Sequence, residues 1–331
     1  MSIPSAVRGA GRGVPRARRT WLTALVALSL GLVAACGSGG QQPPPPSAAA
    51  PAPAPSGDAA PPARTLNVVA STNVWGDIAS RIAGQTAQVR SIITDPNTDP
   101  HSYEATPADA AAIGQADLIV YNGGHYDEWV ERALDATPGA REKAIEAFAL
   151  RPDQAEENEH VWFDPATVNA FARQVADRLG QVDPGQAQGL TQRANEFTGQ
   201  VDQINQQLAA IGQARPGLRG LSSEPVPFYL ERAAGITDVT PPEFAEAIEE
   251  ETDPPAAAVA ETNQLLTSRA VDVLFFNPQT ESPVTVNLRT LANQATIPVV
   301  EVGETLPAGR DYVGWLTDLR SRIASAVGAP Q

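Results

Sequence analysis

The chain has 331 residues, 38 acidic against 23 basic, with a formal net charge of −15 at pH 7. That balance repels a phosphate backbone and excludes nucleic acid as a partner. The single cysteine, Cys36, excludes an intrachain disulfide, so packing must hold the fold.

Residues 1–35 read as a secretory signal peptide. Arg8, Arg12, Arg16, Arg18 and Arg19 form a positive leader, Leu22 to Val33 is an apolar run too short to span a bilayer comfortably, and Val33-Ala34-Ala35-Cys36 closes it with small residues. This last string resembles a bacterial lipobox, which makes Cys36 the lipidated mature N-terminus; the plainer alternative is a small residue at an ordinary cleavage site. Residues 36–64 carry Pro43 to Pro46 and repeated Ala-Pro, too little apolar content to offset ordering, and form an extended tether from a membrane. Losing the leader removes those five arginines and no acid, so the remainder is more negative still.

From Leu66 short β-rich runs alternate with helical ones. Strands are expected at Leu66 to Ala70, Gln88 to Thr94, Asp117 to Tyr121 and Ala144 to Leu150, with helices at Trp75 to Ala83, Pro107 to Ala116 and Glu128 to Leu134. A second series has strands at Leu218 to Ser222, Ile236 to Val239, Val271 to Phe276 and Ile297 to Val302. Its helices are Phe228 to Ala234, Ala256 to Leu266, Val286 to Gln294 and Tyr312 to Val327. This is the rhythm of α/β lobes, each a mostly parallel sheet flanked by helices. Between them Ala194, Phe197, Val201, Ile204, Leu208 and Ile211 recur at spacings of three and four, marking one long amphipathic helix. The expected organisation is an N-terminal lobe over 65–185, a linking helix over 186–214 and a C-terminal lobe over 215–331. The stripe lacks the sustained heptads and flanking charges of a coiled-coil seam, so a monomer is expected.

Only three histidines occur, and two sit in Pro-bounded loop strings: Asp99-Pro100-His101-Ser102-Tyr103-Glu104 and Glu159-His160-Val161-Trp162-Phe163-Asp164-Pro165. Imidazole is the commonest nitrogen ligand of transition metals, so rare histidines in matched settings point to a bound ion. Asp164-Pro165 is a cap followed by a first-turn proline, which would open a helix and fix the loop presenting His160. Taken alone, Asp99-Pro100 is equally a turn whose imidazole satisfies a backbone carbonyl. Below about pH 6.5 an imidazole protonates and ceases to ligate, so affinity is expected to fall there.

The order of leader, lipobox-like cysteine, Asp-Pro-His-Ser-Tyr-Glu, Tyr121-Asn122-Gly123, His-Val-Trp-Phe-Asp-Pro, long helix, Ser222-Ser223-Glu224 and Gly303-Glu304-Thr305-Leu306-Pro307 resembles the zinc/manganese-binding family of ABC-transporter solute-binding lipoproteins, metal-binding cluster A-I, which includes proteins named for cell adhesion. The resemblance covers essentially the whole mature domain. It implies two lobes joined by one rigid helix, a single Zn or Mn ion in the cleft, delivery to an ABC permease, no enzymatic activity, and a membrane-anchored place in the periplasm or on the outer cell surface. Matched position by position, it puts metal ligands at His101, His160 and Glu224. The fourth falls on Glu304, where Asp is commoner in the family, with Asn277 the other nearby candidate.

His101, Glu224 and Glu304 each follow an expected strand, near the carboxyl ends where open α/β sheets bind ligands. Glu224 at a helix start also suits the helix macrodipole, and Glu304 on a loop is equally compatible with solvation. His125, after the Asp117 to Tyr121 strand, reads as a cleft-edge or surface residue, with a hydrogen bond to a ligand as the alternative, and Asn277 is a candidate for such a bond. Two imidazoles and two carboxylates suit either tetrahedral Zn or Mn with bidentate carboxylates. The alternatives are a secreted metal-dependent hydrolase, with another Glu as base, and a tethered surface adhesin.

Overall fold

Each apolar run from Leu66 onward pairs with its neighbours as a strand, and each amphipathic run covers the resulting sheet. The computed structural model describes residues 65–330. The leader, Cys36 and the tether lie outside the described residues.

In the first lobe β1 (Leu66–Thr72) leads directly into α1 (Asn73–Ala83). There follow β2 (Ala87–Ile93), α2 (Pro107–Gln115), β3 (Leu118–Tyr121), α3 (Glu128–Ala136) and β4 (Ala144–Glu146). The sheet order is β2-β1-β3-β4, parallel throughout. Leu66, Val68, Val69 and Ala70 are all buried, because a central parallel strand is covered on both faces and cannot alternate polar with apolar. Helix α4 (Pro165–Val182) opens at Asp164, whose side chain accepts from the Thr167 amide at 3.0 Å, with Pro165 in the first turn. The 28-residue α5 (Ala187–Ala214) follows, about 42 Å long at 1.5 Å per residue.

The second lobe repeats the plan. It contains β5 (Arg219–Ser222), α6 (Phe228–Ala233), β6 (Thr237–Asp238), α7 (Pro242–Glu249), α8 (Ala256–Thr267), β7 (Val273–Phe276), α9 (Pro283–Ala295), β8 (Val299–Glu301) and α10 (Tyr312–Ala326). Its order, β6-β5-β7-β8, is again parallel and matches the first sheet strand for strand. The expected fold class, two α/β lobes with one long linking helix, is the one observed.

The linking helix buries the expected stripe, Ala194, Phe197, Val201, Ile204, Leu208 and Ile211, against the chain's own lobes. One apolar cluster runs through this stripe from Val68 and Val120 in the first sheet to Phe275 and Val300 in the second, closed over by Trp315 and Leu319 of α10. Gly212 permits the closest approach: a Cβ there would stand 2.7 Å from the Ala234 carbonyl oxygen and 3.0 Å from Gly235 Cα. The outer face of each sheet has its own smaller core, Ile119 with Trp129 and Leu134 in one, Leu221 with Phe244 and Ile248 in the other.

One sequence expectation fails locally, and one helix is additional. The strand expected over Ala144 to Leu150 stops at Glu146 and turns into a 3₁₀ segment, Phe148–Leu150. Two more backbone bonds follow, from the Ala147 amide to the Tyr121 carbonyl at 3.0 Å and from the Phe148 amide to the Asn122 carbonyl at 2.8 Å, before the chain turns away from β3, which ends at Tyr121. Helix α7 has no counterpart among the expected elements; burial of Phe244, Ala247 and Ile248 on one side forms it.

The carboxyl ends of the two sheets meet. Asn73, directly after β1, exchanges hydrogen bonds with the Leu306 backbone beyond β8 at 3.1 and 2.9 Å. Asn158 donates to the Pro225 carbonyl at 3.0 Å, and Tyr229 of α6 donates to the Asn158 carbonyl at 2.9 Å. The lobes are closed on one another.

Candidate metal centre

His101 stands on the loop between β2 and α2. Asp99 Oδ1 accepts from the His101 amide at 2.9 Å, a local turn that leaves the ring free to point elsewhere. The ring meets the edge of Tyr126 at 4.9 Å, and its side chain remains 26% exposed.

His160 precedes α4 and is fully buried. Asn158 Oδ1 accepts from the His160 amide at 3.0 Å and lies 3.2 Å from Nδ1, while the Asn158 amide group is committed to Pro225. Nδ1 therefore carries the proton, and Nε2 is left with a lone pair and no hydrogen-bond partner. Burial pushes the imidazole pKa down to about 4, so His160 stays neutral across the range in which a free histidine would charge. Protonation of this residue below about pH 6.5, expected from the sequence, is moved out of that window by desolvation.

Glu304 lies just beyond β8 and is 2% exposed. Asn277, beyond β7, donates its amide to Oε1 at 2.7 Å, and Oε2 is buried without a partner. Oε2 is 3.9 Å from His101 Nε2. One donor atom from each of His101, His160 and Glu304 lies within 4.8 Å of the other two. Metal–ligand bonds of about 2.0–2.2 Å place donors of a common ion roughly 3–4.3 Å apart, so a small contraction brings this set around one centre.

Glu224, between β5 and α6, is buried beside that group rather than within it. Its Oε1 accepts from the Thr280 hydroxyl. Burial pushes its pKa up to about 7. Burial, and next the neighbouring Glu224, holds Glu304 well above the usual carboxylate range. Among the described ion pairs no Arg or Lys reaches either acid, so without a cation the two acids retain protons rather than share an uncompensated negative charge. A divalent cation in this position would displace those protons and pair with the bare carboxylates.

Asn277 stands behind Glu304, in the position expected of a hydrogen-bonding supporter. His125 does not approach the cluster: its side chain is 90% exposed, it lies 3.0 Å from Glu128 Oε1, and its backbone has φ 72°. The residue that sequence reasoning missed is Glu249, the last of α7, with Oε1 3.5 Å from His160 Nε2. Its only sequence signal was the string Glu249-Glu250-Glu251, which is indistinguishable from a solvated acidic run until Phe244 and Ile248 are seen to be buried.

Residues 68–326 match the family profile described as zinc-uptake complex component A, periplasmic. The chain is 29% identical over 170 residues to the zinc-binding protein TroA of Treponema pallidum, covering 50% of this chain and 54% of that one. It is 25% identical over 186 residues to the manganese ABC transporter substrate-binding lipoprotein PsaA of Streptococcus mitis, covering 52% and 60%. The matched segments thus span little more than half the length of these relatives. In structure, the periplasmic zinc-binding protein TroA of Treponema pallidum superposes with a TM-score of 0.66 at 24% identity, over 81% of this chain and 100% of that one.

Proposed function

Because the chain belongs to the family of zinc-uptake complex component A, periplasmic, we propose that it captures one divalent transition metal ion between its lobes and passes it to an ABC permease. The observation that carries this reading is the pairing of His160 Nε2 with Glu304 Oε2. These are buried donors from opposite lobes, neither with a hydrogen-bond partner, gathered with His101. Leaving such groups unpaired costs about 1–3 kcal/mol each, a cost that a bound cation removes.

The proposed ligands are His101, His160 and Glu304, whose donors already converge, with Glu224, buried beside them, turning in from Thr280 as the fourth and Asn277 orienting Glu304. Relatives named for zinc and for manganese both occur, and the mixed nitrogen and oxygen donor set accommodates either ion. The Irving–Williams order makes Zn the tighter ion in vitro for most such sites, so bare affinity does not identify the cargo. Donors filled from both lobes suit capture rather than hydrolysis, which requires an open position for water, and an adhesin requires no such convergence. Lobes over 65–185 and 215–331, joined by the helix of 186–214, would open to release the ion. No described helix is long and apolar enough to cross a membrane. The proposed anchor is lipid on Cys36, exported by the leader, with the protein acting as a monomer at the outer face of the cytoplasmic membrane.

Titration calorimetry of chelator-stripped protein with Zn and with Mn tests the proposal. One equivalent should bind, and the paired substitution His101→Ala with His160→Ala should abolish it. Unaltered binding in the paired variant would overturn the reading.

A further inference from the structure

Helix α7 ends with its carboxylate turned into the same site. Glu249 Oε1 lies 3.5 Å from His160 Nε2 and 3.9 Å from His101 Nε2. Neither Glu249 oxygen has a hydrogen-bond partner, although the side chain is only 17% exposed. The atom it faces, His160 Nε2, is itself fully buried and unpartnered, with its proton fixed on the far side of the ring by Asn158. A bare carboxylate there would face the imidazole lone pair acceptor to acceptor, so burial, and next Glu159, push the Glu249 acid up to about 11, and without a cation it keeps its proton. On the other side Glu249 meets Glu159, whose donor atom lies with those of His101 and Glu249 within 4.8 Å. Three groups able to ligate a cation, His101, His160 and Glu159, therefore close around Glu249, and Phe244 and Ile248 pack α7 against the second lobe.

We propose that Glu249 is a further ligand of the captured ion and biases the site toward a cation that prefers oxygen donors and a higher coordination number. This rests on the reading that an ion sits between His101 and His160. Without Glu249 the donor set has two imidazoles and two carboxylates. With it carboxylates outnumber imidazoles, an arrangement suited to five- or six-coordinate Mn more than to tetrahedral Zn. The acid reaches the site from an element whose only other contribution is apolar packing, so ligation is compatible with release when the second lobe moves.

The test uses the full chain stripped with chelator, and Mn and Zn as the probes. Glu249→Gln keeps the shape and removes the anionic donor; Glu157→Gln, at an exposed nearby acid, controls for general loss of charge. Expected is a fall in Mn affinity of at least about tenfold for Glu249→Gln, the lower end of what even supporting residues of metal sites produce. Zn affinity should fall less, and Glu157→Gln should change neither. The electron paramagnetic resonance spectrum of the Mn complex should change in Glu249→Gln, while the metal-free melting temperature is not lowered, which separates ligation from a folding defect. Affinities for Mn and Zn that are unchanged, or reduced by the same factor, would overturn the proposal. If His160→Ala meanwhile loses binding, the capture function stands without Glu249. If His160→Ala also binds normally, both fall together.

Discussion

The Asn277 amide donates to Glu304 Oε1 at 2.7 Å, which leaves Oε2 of the same carboxylate as the one free oxygen facing His101. Asn277 directly follows β7 and Glu304 lies in the loop past β8, so the parallel pairing of these two strands brings the residues side by side. An amide does here what a carboxylate at position 277 would not, because it neutralises by donation and adds no further negative charge to a pair already in conflict with Glu224.

Replacing Asn277 with Ala removes that donor without touching a proposed ligand. Metal affinity should fall by about 10- to 100-fold, the usual consequence of losing a group that orients a metal-binding carboxylate. Calorimetric titration of Asn277→Ala against the unaltered protein checks this, and equal affinities would show that Glu304 needs no support.

Gly212→Ala tests the seam between the linking helix and the second lobe. Alanine favours a helix interior over glycine by about 1 kcal/mol. The added methyl group would meet the Ala234 carbonyl oxygen at 2.7 Å, backbone that cannot rotate aside, and Gly235 beside it has φ 66°. Overpacking of this kind costs about 1–3 kcal/mol, so the net effect should be a loss of up to about 2 kcal/mol. Denaturant unfolding that shows Gly212→Ala to be more stable would mean that the helix sits less tightly on the lobe.

Stability in the metal-free state should fall as pH rises from about 5 to 7. Burial raises Glu224 from 4.5 to about 7 and holds Glu304 well above its usual range. Both hold protons that the unfolded chain has already released, so their stabilising contribution is complete below 4.5, and that of Glu224 is lost as pH rises through 7. His160, lowered from 6.5 to about 4, acts in the opposite sense: its contribution is complete above 6.5 and is lost as pH falls through 4. Glu231, also raised by burial, joins the carboxyl side, so acids outnumber the one imidazole. The bound ion requires bare carboxylates, so the melting-temperature gap between metal-loaded and metal-free protein should widen from pH 5 to 7. At neutral pH and a free ion concentration about one hundred times Kd the gap should reach about 5–10 °C. A gap that is flat or narrows with pH would contradict this account.

Much of this architecture was legible in the chain. Apolar runs such as Leu118 to Tyr121 and Val273 to Phe276 have one reading in an α/β protein, and the three-and-four stripe from Ala194 to Ile211 leaves no alternative to a helix. The loop strings around His101 and His160 were readable because histidine is scarce and the cap at Asp164-Pro165 is local. Glu249 was not readable, since its meaning depends on α7, and α7 exists through tertiary burial of Phe244 and Ile248 rather than through local propensity. The engagement of Glu224 with Thr280 was hidden for the same reason, as 56 residues separate the partners.

Anomalous diffraction from crystals grown with Zn or Mn examines the central claim most directly. A single anomalous peak is expected about 2.0–2.3 Å from His101 Nε2, His160 Nε2 and Glu304 Oε2 together. A peak bound to only one lobe, or no peak between these three side chains, would contradict it.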